Sequence, residues 1–226
     1  MRAAGRGHAV TTRHTRIKLC GMTRAEDVQL AVQLQVDFIG LIFAARSPRR
    51  LTPEQGARLR ARVPAGITVV ALLMDTPSAD ILRIIDSVQP DILQFHGSED
   101  DACCAGFGLP FFKAIAMGDD ADPLPRMAAF PTAQGFVLDG HGTGEAGGSG
   151  RRFDWARLPA VAGKPLLLAG GLGPDNVARA IAIARPWGVD VSSGIEQAPG
   201  VKDADAMRRF VAAVRAADAA ATAAIG

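Results

Sequence analysis

PLLLAGGLGPDNVARAIAIARPWGVDVSSG, residues 165–194, is the stretch that decides how this chain is organised. It opens on an unbroken apolar run at 165–169 and passes through a glycine-rich turn. A helical stripe follows, with Val177, Ala180, Ile181 and Ala184 at offsets i, i+3, i+4 and i+7. The segment closes on a second apolar run, GVDVSS at 188–193. Short strands buried on both faces read as continuous apolar runs. Two of them joined through a helix make a parallel crossover.

Working outward, the same unit recurs. Strands are expected at RIKLC (16–20), DFIGLIF (37–43), ITVVALLM (67–74), DILQF (91–95), FFKAIAM (111–117) and GFVLD (135–139). Between them lie a helix carrying Val28, Ala31 and Val32, one starting at Thr52-Pro-Glu, and one opening at Thr76-Pro77 with Ile81, Ile84, Ile85 and Val88. A weaker helix spans 99–107, an Ala-rich segment is interrupted by Pro123 and Pro125, and a short turn or helix follows Phe153. The final helix carries Met207, Phe210, Val211 and Val214. Eight strand–helix units predict an α/β fold, a single-domain (β/α)8 TIM barrel with a parallel eight-stranded sheet. An open doubly wound sheet produces the same alternation and is the alternative. The barrel is expected over 16–218, with a disordered tail at 1–15 and a fraying C-terminus at 219–226.

Composition agrees with one domain. The chain has 226 residues, 48% of them apolar, enough for a single substantial core. A net charge of +2 argues against a nucleic-acid surface. No apolar run reaches the roughly 18 residues of a membrane span. Three cysteines, two of them adjacent at Cys103 and Cys104, make a poor disulfide framework. With no secretory signal in view, they favour a reducing, cytoplasmic compartment. Residues 1–15 contain no acid and read as a tail or a short transit-like segment.

In a barrel, chemistry belongs at the C-terminal ends of the strands. The turn after the seventh strand, Gly170-Gly171, and Ser192-Ser193-Gly194 after the eighth together suggest a phosphate site. They offer backbone N–H groups, hydroxyls and a helix start. Asp139, ending the sixth strand, is a general acid/base or a loop cap. Cys20 ends the first strand, three places from the sixth around the ring, so thiol and carboxyl can face each other across the mouth. Arg49 is either a solvated loop charge or a fork for a second anion. His96 is a proton shuttle, a rim histidine or a substrate contact. Lys18 shares a strand face with Cys20 and is expected to lower the thiol pKa, with Asp190 as its carboxylate partner. Lys113 has a supporting role. No metal-ligand spacing and no dinucleotide fingerprint appears.

These residues resemble those of the phosphoribosylanthranilate isomerase family of tryptophan biosynthesis. The matching stretches are IKLCGMTRAED (17–27), FAARSPRRLTPE (43–54), LQFHG (93–97), VLDGHGTGEAGGSGRRFDW (137–155), LLLAGGLGPDNVARAI (166–181) and GVDVSSGIEQAPGVKD (188–203). Leu19 stands where the family commonly has isoleucine, and Phe95 where it has leucine. The resemblance implies an isomerase catalysing the Amadori rearrangement of N-(5-phosphoribosyl)anthranilate to 1-(2-carboxyphenylamino)-1-deoxyribulose 5-phosphate. It implies Asp139 as general acid, Cys20 as general base, and Arg49 as binder of the anthranilate carboxylate. Asp190 and His96 would contact substrate; Gly170, Gly171, Ser192, Ser193 and Gly194 would hold phosphate. No cofactor or metal is implied, nor a nucleic-acid or membrane partner, and the chain is expected as a monomer or homodimer. The related barrel isomerase of histidine biosynthesis is the rival enzyme, but it typically has aspartate where this chain has Cys20. A non-catalytic phosphometabolite-binding barrel would keep the phosphate loops and lose Cys20 or Asp139.

Overall fold

The computed structural model describes residues 14–118, 122–140, 153–159 and 163–223. The strands are β1 (Arg16–Cys20), β2 (Phe38–Ile42), β3 (Thr68–Leu73), β4 (Ile92–Phe95), β5 (Phe111–Ala116), β6 (Gly135–Asp139), β7 (Leu166–Leu168) and β8 (Gly188–Val191). Each pairs in parallel with its sequence neighbours, and β1 pairs with β8, so the sheet closes into a barrel. That closure excludes the open doubly wound sheet.

Strand alternation sorts the side chains. Phe38, Val70, Ile92, Phe112, Val137 and Leu167 form one buried cluster inside the barrel. Towards the C-terminal strand ends, Ile42, Ala44 and Leu72 gather around Cys20. The intervening positions, such as Leu19, Leu41, Ala71 and Leu138, join the larger layer between strands and helices. Each strand is therefore buried on both sides, which is why its sequence is apolar without alternation.

The helices are α1 (Ala25–Gln33), α2 (Pro53–Arg60), α3 (Ser78–Val88), α4 (Asp101–Ala105), α5 (Pro123–Ala128), α6 (Val177–Ala184) and α7 (Ala204–Ala223). At α2, Thr52 and Gln55 form a reciprocal capping box and Pro53 occupies the first turn. In α5 the prolines do not interrupt a helix. They start one, since Pro123 lies in the first turn, where a missing N–H costs nothing, and Asp122 caps Leu124 N–H. The α4 helix is shorter than its sequence suggests. Among the described residues the crossover from β6 to β7 holds only a 3₁₀ turn at Trp155–Arg157. The glycine-rich loop from His141 onward and the tail at 1–13 lie outside the described residues. Residues 219–223 are the end of α7.

Two features are absent from the sequence reading. A small antiparallel hairpin, β9 (Glu196–Ala198) with β10 (Val201–Lys202), stands between β8 and α7. Thr15 is buried and sends both its backbone N–H (2.8 Å) and its hydroxyl (2.6 Å) to the carboxylate of Asp218 on α7. The last helix is thereby fastened to the start of the first strand. Asp218→Ala strands a buried amide and hydroxyl, and is expected to lower unfolding free energy by about 1–3 kcal/mol in urea titrations.

Candidate active site

The C-terminal strand ends surround a cleft that is partly open to solvent. Its lining includes every site residue singled out in the sequence: Cys20, Arg49, His96, Asp139, Gly170, Gly171, Asp190, Ser192, Ser193 and Gly194. Ile42, Ala44, Leu72, Met74 and Pro48 supply an apolar wall, and Arg46 a further cation.

Cys20 is the last residue of β1 and is 3% exposed. Gly40 on the paired strand makes room for it: a Cβ there would lie 2.6 Å from the Cys20 sulfur. Lys18, two residues earlier, points to the same interior, is fully buried, and donates to Asp190 Oδ2 at 2.8 Å. The two residues stand opposite one another where β1 meets β8. Burial works against the Lys18 charge, but Asp190 and Cys20 together outweigh it and hold the ammonium's pKa up. The thiol behaves differently from the sequence expectation. Burial pushes the Cys20 pKa above its usual 9.0, and the nearby Lys18 and Lys202 cations only partly offset this. Lys18 does favour the thiolate, but the charge of its partner Asp190 opposes thiolate formation.

The loops after β7 and β8 pack on each other. Gly170 and Gly171 both have positive φ, 83° and 62°, which favours glycine. Asn176 ties the first loop, accepting from Gly173 N–H and donating to Gly171 O, both at 2.9 Å. A Cβ at Gly194 would lie 1.8 Å from Leu172 O, so only glycine lets the two loops approach this closely. Gly21 serves the same end: with φ of 75°, its absent side chain leaves room for Arg49 and Ser192. The buried atoms Ser192 Oγ and Asp190 Oδ1 have no hydrogen-bond partner among the described residues. Buried polar groups are rarely left so, and both belong to residues of the cleft wall.

Arg49 is not a solvated loop charge. It is 7% exposed and held in a fork by Glu196, through Nε at 2.8 Å and Nη2 at 2.7 Å. Lys202 also donates to Glu196, at 2.8 Å. Burial pushes the Glu196 carboxyl up, but these two cations outweigh it and hold its pKa below the usual 4.5. Neither Glu196 nor Lys202 was a sequence candidate. The available signal was the pair of opposite charges flanking a Pro-Gly turn in EQAPGVK.

His96 contacts the buried amide of Gln94. Lys113 alternates with the inward Phe112 and Ala114, so it faces the helix layer. It donates to Gly97 O at 2.6 Å and pairs with Glu99 at 3.2 Å, supporting the loop that carries His96.

A closed parallel barrel whose C-terminal mouth brings together a buried thiol, carboxylates, a forked arginine and two glycine-tightened loops has the architecture of a (β/α)8-barrel enzyme. The chain belongs to the N-(5'phosphoribosyl)anthranilate (PRA) isomerase family, whose model matches residues 17–213. It is 49% identical over 210 residues to the N-(5'-phosphoribosyl)anthranilate isomerase of Xanthomonas campestris pv. campestris, covering 90% of this chain and 95% of that protein. A relative from Stenotrophomonas maltophilia is 47% identical over 206 residues, covering 90% and 94%. The solved phosphoribosyl anthranilate isomerase of Thermotoga maritima superposes with a TM-score of 0.81 at 33% identity, covering 90% of this chain and all, 100%, of that one. Another solved isomerase, in complex with reduced 1-(o-carboxyphenylamino)-1-deoxyribulose 5-phosphate, superposes at 0.76 with 29% identity and coverage of 90% and 100%.

The Glu196 pKa sets an acid limit. A carboxyl with a depressed folded-state pKa adds stability above its unfolded value, near 4.5, that is lost as pH falls through the folded value. Thermal melts of Glu196→Gln are expected to lose part of the acid-side slope that the wild type shows below pH 4.5.

Proposed function

We propose that this chain isomerises N-(5-phosphoribosyl)anthranilate to 1-(2-carboxyphenylamino)-1-deoxyribulose 5-phosphate by general acid–base catalysis. The observation that carries the reading is the convergence of Cys20 and Asp139 on one cleft, between loops suited to phosphate and an arginine suited to a carboxylate.

The anionic ends of the substrate fix its direction. Phosphate sits on the loops of Gly170-Gly171 and Ser192-Ser193-Gly194, with the Ser192 hydroxyl as a donor. The anthranilate carboxylate meets Arg49, whose guanidinium is already oriented by Glu196. The aromatic ring lies on the apolar wall of Ile42, Leu72 and Met74, and His96 and Asp190 complete its contacts.

Proton transfer then occurs at two atoms. Asp139 protonates the furanose ring oxygen, the ring carbon–oxygen bond breaks, and the anthranilate nitrogen forms a Schiff base. Cys20 as thiolate removes the proton from C2′. The C2′–H electron pair forms a new double bond, the nitrogen takes up the electrons, and an enolamine results. Tautomerisation gives the ketone. The substrate's own nitrogen is the electron sink, so the scheme needs no cofactor.

A base must be deprotonated to work, and burial holds the Cys20 proton on. Turnover should therefore rise with pH through neutrality, and the profile should change in Cys20→Ser. The nearby Lys18 and Lys202 cations supply the thiolate's counter-charge.

Cys20→Ala and Asp139→Asn are each expected to lower turnover about 100-fold or more, the scale of acid–base catalysis, with the melting temperature retained. Fluorescence assays on phosphoribosylanthranilate check this, and unchanged turnover in either variant removes that residue from the scheme. Arg49→Ala is expected to raise KM mainly. Turnover on the histidine-pathway amine instead, or phosphate binding without any turnover, would select one of the two rival barrels.

A further inference from the structure

One side chain behind the cleft belongs to neither the acid–base pair nor the cleft wall. Lys202 ends the hairpin, and its side chain has no solvent exposure. Its ammonium donates to the carbonyl of Ser192 at 3.0 Å and to Glu196 Oε1 at 2.8 Å. The same Glu196 oxygen accepts from Arg49 Nε at 2.8 Å, and the other accepts from Nη2 at 2.7 Å. One buried cation is thus joined directly to the loop after β8 and, through one carboxylate, to Arg49.

The Lys202 backbone is itself held from α1. Its N–H donates to Asp27 at 3.4 Å and its carbonyl accepts from Arg24 at 2.9 Å, while Arg24 and Asp27 pair with each other at 2.6 Å. Thr23 bonds the carbonyl of Gly200 in the hairpin turn. The TRAED segment after Cys20 therefore grips the far side of the hairpin. Burial pulls the Lys202 pKa down and Glu196 only partly offsets it, so the arrangement stores a desolvation cost that a purely apolar residue would not incur.

We propose that Lys202 is a positioning residue that sets both anion sites at once, so that the phosphate and carboxylate ends of the ligand depend on a side chain touching neither. The inference rests on the assignment of those two ends made above. Among the described residues Arg49 makes no hydrogen bond to the phosphate loop. Glu196 follows that loop in sequence, two residues after Gly194, and Lys202 adds the side-chain link that ties the Ser192 carbonyl to the Glu196 carboxylate.

The test compares Lys202→Met, Arg49→Ala and Glu196→Gln with the wild type. Inorganic phosphate affinity is read by ³¹P NMR titration, KM and turnover by fluorescence on phosphoribosylanthranilate, and folding by thermal melting. Lys202→Met is expected to weaken phosphate about tenfold, the effect of losing a charged hydrogen bond that shapes the loop, and to raise KM by more than that. Turnover at saturation should fall far less than in Cys20→Ala, and its rise with pH should move to higher pH, since Lys202 is also one of the cations that favour the Cys20 thiolate. Arg49→Ala and Glu196→Gln should raise KM and leave phosphate affinity alone. In an Arg49→Ala background, Lys202→Met should add only its phosphate effect, because the path to Arg49 no longer matters. Lys202→Gln, which keeps a donor for Ser192 but not the charge, should recover phosphate affinity and not KM.

A folded Lys202→Met with wild-type phosphate affinity overturns the proposal, as does a full additive effect in the Arg49→Ala background. If Lys202→Met does not fold, Lys202→Gln decides by KM: a raised KM with phosphate affinity retained supports the proposal, and a wild-type KM overturns it. The phosphate titration needs no turnover, so the two readings fail separately. Absent isomerase activity with Lys202-dependent phosphate binding overturns the substrate, whereas normal activity with phosphate affinity indifferent to Lys202 overturns the coupling.

Discussion

Closure of β1 against β8 is the constraint on which the rest of the molecule depends. A ring of strands has an inside, and residues alternate between that inside and the helix layer. Once closed, Lys18 cannot reach water. It meets Asp190, the residue opposite it in the register, at 2.8 Å. Removing either partner would leave a buried charge uncompensated, which is far costlier than losing a surface pair. Thr15 and Asp218 reinforce the same seam from outside, so that both ends of the barrel's chain meet at one place.

The seam also organises the cleft. Cys20 and Asp190 belong to the strands that close the barrel, and the phosphate-type loops follow β7 and β8. Lys18, Lys202 and Arg49 all act electrostatically on the thiol, and each is paired with a carboxylate, Asp190 or Glu196. The carboxylates prevent any one cation from dominating, and burial leaves the thiol protonated in the ligand-free protein. The site is thus set with its charges nearly balanced. An anionic ligand reaching Arg49 or the loops enters a field that fixed dipoles and held side chains have already arranged.

Glycine placement is the other half of that arrangement. Gly40 makes room for the Cys20 sulfur, Gly21 for Arg49 and Ser192, and Gly194 for the carbonyl of Leu172. These are contacts between residues distant in sequence. Each depends on a missing Cβ rather than on a polar group, so Gly21 and Gly40 attract no notice as chemistry, and Gly194 does so only as part of a binding loop.

The barrel was legible in the order of apolar runs, because strands buried on both faces carry no alternation and each was followed by a helix signal or a turn. The mouth residues were legible too, since a barrel puts chemistry where strands end. Pro123 and Pro125 were misread because a proline's effect depends on whether it sits inside a helix or in its first turn. The Cys20 environment was misjudged because a neighbouring lysine is visible in sequence while burial is not. Glu196 and Lys202 escaped because their partners, Arg49 and the Ser192 carbonyl, are brought to them only by the hairpin. Sequence by itself determined the repeating strand–helix order, the family and the set of groups at the mouth. Tertiary structure alone decided which charges neutralise one another and which way the thiol titrates, because pairing and desolvation depend on distances between segments that local pattern does not encode.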